Sequence, residues 1–533
     1  MSQFDIIVKN VKVIDGTGNP GYEADVGILE GNIEFIGNIE DRASTIIDGK
    51  GLVLCPGFID RHGHSDLQVF HDSSVYNKLE QGITTEISGF CGLTLAPVSR
   101  EYFDHLKKYT GFLTNGLNMP ENWSELSTFG RYMDEVDKLK LGPNMAFYVG
   151  QGTIRVAVMG FENRKATAEE LEKMKDLVRD AMENGALGLS TGLIYAPGVF
   201  TPKEEIIELC KVVKEYGGSY ASHIRNESND LVNAVKEAID IGRQAEVQVL
   251  ISHHKIAGKN NWGKSKETLK LVDEANKEGL DVSLDQYPYT AGSSLLCITI
   301  PPEFHEGGLG KLLERIKDKE TRKKIKREIL NPDRKWENMI LNCGFDGILV
   351  LTKAMPEAHG KTVAEYAEET GMDPIDAIFD ILIKTDGTAA AAYFLMDEGD
   401  IERIMKYPYT MVGTDGALVI PGMEAHPRAI GTYPRILGRY VRERGVLTLE
   451  EAIKKMTSLP ASKAKLKTKG LVKEGFDADL VIFNPDTIID RADYKNPELK
   501  NEGIEYVIVN GKIAVKNNKY TGETAGKVIR VNR

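Results

Sequence analysis

Phe58-Ile59-Asp60-Arg61-His62-Gly63-His64-Ser65-Asp66 decides the reading of this chain. The apolar run Leu52 to Ile59 predicts a short buried strand, and a His-x-His pair follows its end. Side chains at i and i+2 of a strand share a face, so one metal ion could take both imidazoles. A polar turn after a strand explains a lone His-x-His equally well. The rest of the chain decides between the two.

Outward from that stretch, residues 52 to 465 read as strand then helix, repeatedly. Strand ends are expected at Asp60, Gly89, Gly150, Thr191, Ser222, Ser252, Gln286 and Thr414. Amphipathic helices are expected at Ala168 to Gly185, Lys203 to Gly217, Asp230 to Ala245 and Ser265 to Gly279. Eight such strands predict an α/β fold, a (β/α)8 TIM-like barrel. An excursion at about 293–350, with a Lys/Arg/Glu-rich helix over Leu312 to Leu330, is expected as a lid over the barrel mouth. Both chain ends alternate like β-strands instead. Residues 1–55 and 466–533 are therefore expected to form one small β domain around a barrel at 56–465.

Composition narrows the function classes. The chain has 533 residues, 41% hydrophobic and 27% charged, as in an ordinary soluble protein. Its net charge of -12 argues against nucleic acid or an anionic membrane as partner. No export signal and no long apolar span are visible. Five cysteines without close pairing suit free thiols in a reducing cytoplasm. A small-molecule substrate is expected; a homo-oligomer is left open.

Barrel active sites are built at the C-terminal ends of strands. Five of the ten histidines fall there: His62, His64, His223, His253 and His254. Cys91 follows strand two and Asp415 follows strand eight. Imidazoles, a thiolate and a carboxylate suit Zn²⁺, which activates water as a nucleophile. Asp415 is placed to take a proton from that water and return it to a leaving amine. His254, beside His253, is expected to pack or to brace its neighbour.

The chain resembles the amidohydrolase superfamily and, within it, the N-acyl-D-amino-acid deacylases (D-aminoacylases). The resemblance rests on Pro56 to His64, Cys91-Gly92, Tyr220 to Glu227, Ser252 to Lys255, Asp285 to Ala291 and His426 to Arg435. It implies a (β/α)8 barrel with a small β-sandwich and zinc-dependent hydrolysis of an N-acyl bond on a D-amino acid. It also implies that Cys91, His223 and His253 hold a tight zinc, while His62, His64 and Asp415 face a second, weaker position. Cyclic-amide hydrolases of the superfamily bridge two metals with a lysine at the end of strand four; Ala186 to Gly192 contains none. A hydantoin- or dihydropyrimidine-type hydrolase is thus the runner-up, and an inactive scaffold the third reading. Where relatives often have Asn before the cysteine, this chain has Phe90, which is expected to reshape the pocket wall.

A free α-carboxylate on the substrate needs cations or donors. Lys255, Arg428 and Arg435 supply charge, and Tyr195, Tyr287 and Ser293 supply hydroxyls; the resemblance supports Lys255, Tyr195, Tyr287 and Ser293. For Arg428 and Arg435 a structural ion pair is the alternative. His426 is expected to brace its loop, and Arg225 to pair with Glu227.

Overall fold

The computed structural model describes residues 4–40, 42–332, 336–420 and 425–531. The expected domain ranges also take in 1–3, 41, 333–335, 421–424 and 532–533, which lie outside the described residues.

Leu52 to Ile59 is not one strand. Val53–Pro56 pairs with Leu480–Phe483 and Phe4–Val13, whereas Phe58–Asp60 pairs with Ile83–Ser88 in a different sheet. Gly57 makes the switch: a Cβ there would lie 2.1 Å from Thr84 Oγ1. Only glycine permits that approach.

The barrel strands follow chain order: Phe58–Asp60, Ile83–Ser88, Asn144–Phe147 with Val149–Gly150, Gly188–Gly192, Ser219–His223, Gln248–Ile251, Val282–Gln286 and Thr410–Val412. Neighbours pair in parallel. Backbone bonds from Arg61 N–H to Val412 O (3.1 Å) and Asp415 N–H to His62 O (2.7 Å) join strand eight to strand one. Strands two, four, five and seven are buried at every residue, as expected of parallel strands covered by helices. The covering helices are amphipathic. In Leu231–Ala245 the buried residues Leu231, Ala234, Val235, Ala238, Ile239, Ile241, Gly242 and Ala245 form one face. Ala168–Glu183 starts with a capping box of Thr167 and Glu170, which satisfies two orphan N–H groups.

Strands from both chain ends share one nine-stranded sheet. Its edge strand Asn32–Gly37 bonds to the segment that leads into the inner strand Leu480–Phe483, through Ile33 N–H to Phe476 O and Gly475 N–H to Ile33 O, each 2.8 Å. The sheet thereby rolls around Val8, Val26, Ile28, Ile33, Leu54, Leu480 and Ile508.

The excursion before strand eight runs past 350. Ala291–Leu295, Ile348–Leu351 and Ala390–Phe394 form an antiparallel sheet with the last strand in the centre. The single helix expected over Leu312 to Leu330 is two, Leu309–Lys317 and Lys319–Leu330. Asp318 breaks it by capping the second helix, accepting from Thr321 N–H at 2.8 Å. Among the described residues no helix is long and apolar enough to cross a membrane.

Candidate active site

The barrel mouth gathers the residues singled out above. Cys91 Sγ lies 3.6 Å from His62 Nε2, 3.8 Å from His223 Nδ1 and 3.5 Å from His253 Nε2. Asp415 Oδ1 lies 3.6 Å from His62 Nε2 and 3.1 Å from His64 Nε2. All are buried or nearly so. His62, Cys91, His253 and Asp415 bring one donor atom each within 4.8 Å of the others. His64 reaches the cluster through Asp415 and through an edge-on contact with the His62 ring, 5.3 Å between centroids.

Local backbone explains how these side chains converge. Cys91, His253 and Asp415 have φ of 55°, 34° and 47°, a region that L-residues enter at a cost of about 1–3 kcal/mol each. At each of these positions the backbone turns sharply just after a strand, and the three side chains meet around His62. Gly63 separates the two histidines of strand one because a Cβ there would meet Glu86 Oε1 at 2.2 Å.

Two carboxylates back the imidazoles, and sequence reading gave neither of them this role. Asp285 faces His62 Nδ1 at 3.2 Å and accepts from His253 N–H at 2.7 Å. Glu227 faces His253 Nδ1 at 3.0 Å and accepts from Lys255 Nζ at 2.7 Å. Fixing one ring nitrogen in this way leaves the other as a lone-pair donor aimed at the cluster. Both acids sit in quoted motifs, so the available signal was an acid within a few residues of a site histidine. Phe90 stacks on the His62 ring at 4.1 Å, so its effect falls on a histidine face.

Electrostatics favour a cation here. Burial pushes His223 and His253 well below the ordinary imidazole range, so both are neutral. Burial likewise pushes the Cys91 thiol well up. One thiol proton cannot serve three surrounding imidazole nitrogens, whereas a single divalent ion could take the sulfur and its neighbours together. Burial would raise Asp415, but the Arg428 guanidinium and nearby imidazoles overcome it and hold the carboxylate well below its usual range.

Around this cluster opens a cavity of about 360 Å³ whose lining includes Tyr195, Lys255, Tyr287, Ser293 and Arg428. Arg428 Nη1 lies 2.9 Å from Asp415 Oδ2, and its guanidinium stacks over the Tyr287 ring at 4.6 Å. Lys255 Nζ lies 5.7 Å from the centroid of the same ring. Tyr195 bonds to Ser294 Oγ at 3.2 Å. Arg435 is no part of this wall: it pairs with Asp490 at 2.9 Å and bonds to Pro288 O. His426 accepts from Arg428 N–H and meets Ala291 O, a loop brace as expected. His254 turns away to Thr268 Oγ1 at 2.9 Å. The expected Arg225–Glu227 pair does not form. Arg225 binds Glu237 on the following helix, because Glu227 is committed to His253 and Lys255.

A barrel of this topology with this donor set defines a metal-dependent hydrolase class, and the chain belongs to the amidohydrolase family, whose model matches residues 45–515. Within that family it groups with the D-aminoacylases. It is 37% identical to the D-aminoacylase of Alcaligenes xylosoxydans xylosoxydans, over 99% of this chain and 97% of that one. It is 34% identical to the N-acyl-D-aspartate deacylase of the same organism, over 99% and 95% of the two chains. Among solved structures it is similar to the N-acyl-D-glutamate deacylase from Bordetella bronchiseptica complexed with zinc and a phosphonate inhibitor. The TM-score is 0.83 at 32% identity, covering 99% of this chain and 100% of that one.

Proposed function

We propose that this enzyme hydrolyses the amide bond of N-acyl-D-amino acids to a carboxylate and a free D-amino acid. One observation carries the reading. A buried Cys91–imidazole cluster and Asp415 face a wall of Lys255, Tyr287 and Arg428 across one cavity. That arrangement suits a linear amide with a free carboxylate beside it. The names of the full-length relatives support the D-amino-acid part.

Zn²⁺ fits the donor set, with Cys91, His223 and His253 as its tighter ligands and His62, His64 and Asp415 beside a second position. When bound it supplies Lewis acidity toward the amide carbonyl and acidifies water to a pKa of about 7. The chain's own residues do the rest. Arg428, Lys255 and the Tyr195, Tyr287 and Ser293 hydroxyls hold the α-carboxylate. Asp415 Oδ1 accepts the proton that water loses as the C–O bond forms, then returns it to the nitrogen as the C–N bond breaks. Asp285 and Glu227 keep the imidazoles in one tautomer and orientation. A cyclic-amide substrate would need no carboxylate wall, and strand four, Gly188–Gly192, carries no bridging lysine.

We also read the chain as two domains, residues 1–55 with 466–533, and 56–465, with the excursion walling the mouth. Five free cysteines support a cytoplasmic setting.

Elemental analysis followed by hydrolysis of paired N-acetyl-D- and N-acetyl-L-amino acids tests the reading. Zinc with D-selective acetate release is expected. Cleavage of hydantoins but of neither open-chain enantiomer would overturn it.

A further inference from the structure

A second cavity, of about 390 Å³, adjoins the catalytic one. The two share wall residues, among them Leu93, Phe112, Ile194, Tyr195, Ile298 and Met339. Beyond this throat the second cavity is lined chiefly by apolar side chains, including Phe161, Val199, Ile300 and Leu309, with Lys108, Arg225 and Glu303 as the charged part of its wall. None of the reactive groups described above except Tyr195 reaches it. An apolar chamber of this size opening into a catalytic cavity is a ready site for an apolar substrate group.

Its position indicates which group. The carboxylate wall comes from the ends of strands six, seven and eight, through Lys255, Tyr287 and Arg428. Leu93 and Ile194 come from the loops after strands two and four, across the barrel mouth; Tyr195, the one carboxylate-holding hydroxyl on that side, marks the boundary between the two cavities. In a trans amide the acyl chain and the amino-acid α-carbon leave the C–N bond on opposite sides. The side chain departs from the same carbon as the carboxylate; the acyl chain departs the other way. We propose that this second cavity is an acyl-chain site, and that the enzyme takes N-acyl-D-amino acids with extended alkyl or aryl acyl groups in preference to N-acetyl ones. This inference rests on the deacylase reading above.

Burying a methylene is worth about fourfold in kcat/KM when the contact is made in the transition state. The zinc-loaded enzyme is therefore assayed on N-acetyl-, N-hexanoyl- and N-octanoyl-D-alanine, whose small side chain keeps the comparison on the acyl end. We expect kcat/KM to rise about tenfold or more from acetyl to octanoyl. Val199→Phe, which fills the second cavity from a half-buried position, should erase that gain and leave N-acetyl-D-alanine hydrolysis unchanged. Leu309→Trp fills the same space from the excursion and should do the same.

A flat or falling series on the wild-type enzyme overturns the proposal while leaving the deacylase reading intact. So does a gain that appears instead between N-acetyl-D-alanine and N-acetyl-D-phenylalanine and is lost in Val199→Phe, since the cavity would then hold the side chain. Failure to cleave any N-acyl-D-amino acid sinks the deacylase reading and this inference together.

Discussion

Arg428 Nη1 sits 2.9 Å from Asp415 Oδ2, so the residue proposed as proton acceptor is paired with a residue proposed to hold the substrate carboxylate. Both are nearly buried, and Asp415 Oδ1 is occupied by His64. The substrate carboxylate and Asp415 therefore share one guanidinium. Arg428→Gln should raise KM by tenfold or more, about the worth of one charge-assisted contact. Removing the guanidinium also removes the strongest attraction holding the Asp415 carboxylate low. The acid limb of kcat/KM should then move to higher pH, because a base with a raised pKa is lost earlier as pH falls. A pH profile of the variant checks this; an unmoved acid limb would mean that another group titrates there.

Asp415→Asn and Cys91→Ala separate chemistry from metal retention. Asn keeps the shape at 415 but cannot accept a proton, so kcat should fall by about 10²–10⁴-fold with the tightly held zinc retained. Cys91→Ala removes the sulfur that three imidazoles surround, and zinc per chain should drop. Asp285→Asn weakens the support behind His62 and His253, and should lower zinc affinity by about 10–100-fold. Elemental analysis with a competing chelator ranks all three.

Lys78 is predicted to hold the mouth together from below. Its buried Nζ donates to Asp60 Oδ2 at 2.6 Å, Thr414 Oγ1 at 2.7 Å and Gly416 O at 2.9 Å. It thus ties the start of the His62–His64 segment to both sides of Asp415. Lys78→Met leaves the buried Asp60 carboxylate without its cation, held only by Thr414 and the His62 N–H, a loss of about 3–5 kcal/mol. A fall in urea midpoint of that size is expected; an unchanged midpoint would refute the clamp.

The eight strand ends and the histidines at them were legible because apolar runs bounded by His, Asp and Gly carry their own punctuation. What supports them was not. Asp60 lies 18 residues from Lys78 and Thr414 lies 336 away, a triangle that only the closed ring brings together. Gly57 looked like part of one apolar strand because nothing local shows that Thr84 crowds it. Arg225 and Glu227 looked like natural partners at two residues' spacing, yet in the loop after Ser219–His223 Arg225 pairs with Glu237 and Glu227 with His253 and Lys255. Local pattern placed these side chains at strand ends; the barrel's closure chose their partners.

Glu337 links the excursion to the site in a pH-dependent way. Its Oε2 accepts from Glu227 N–H at 2.8 Å, and Oε1 is buried without a hydrogen bond. Burial, with Glu227 adding repulsion, pushes this carboxyl up to about 8. A carboxyl in the unfolded chain titrates near 4.3. The folded state therefore keeps its proton while the unfolded state loses it, and stability drawn from Glu337 falls as pH rises from about 4.3 through 8. Glu337→Gln keeps the acceptor for Glu227 N–H and cannot ionise. It should flatten the decline in Tm between pH 5 and pH 8, and at pH 8 should melt higher than the wild type. Parallel Tm–pH curves for the two proteins would show that Glu337 is not the group responsible.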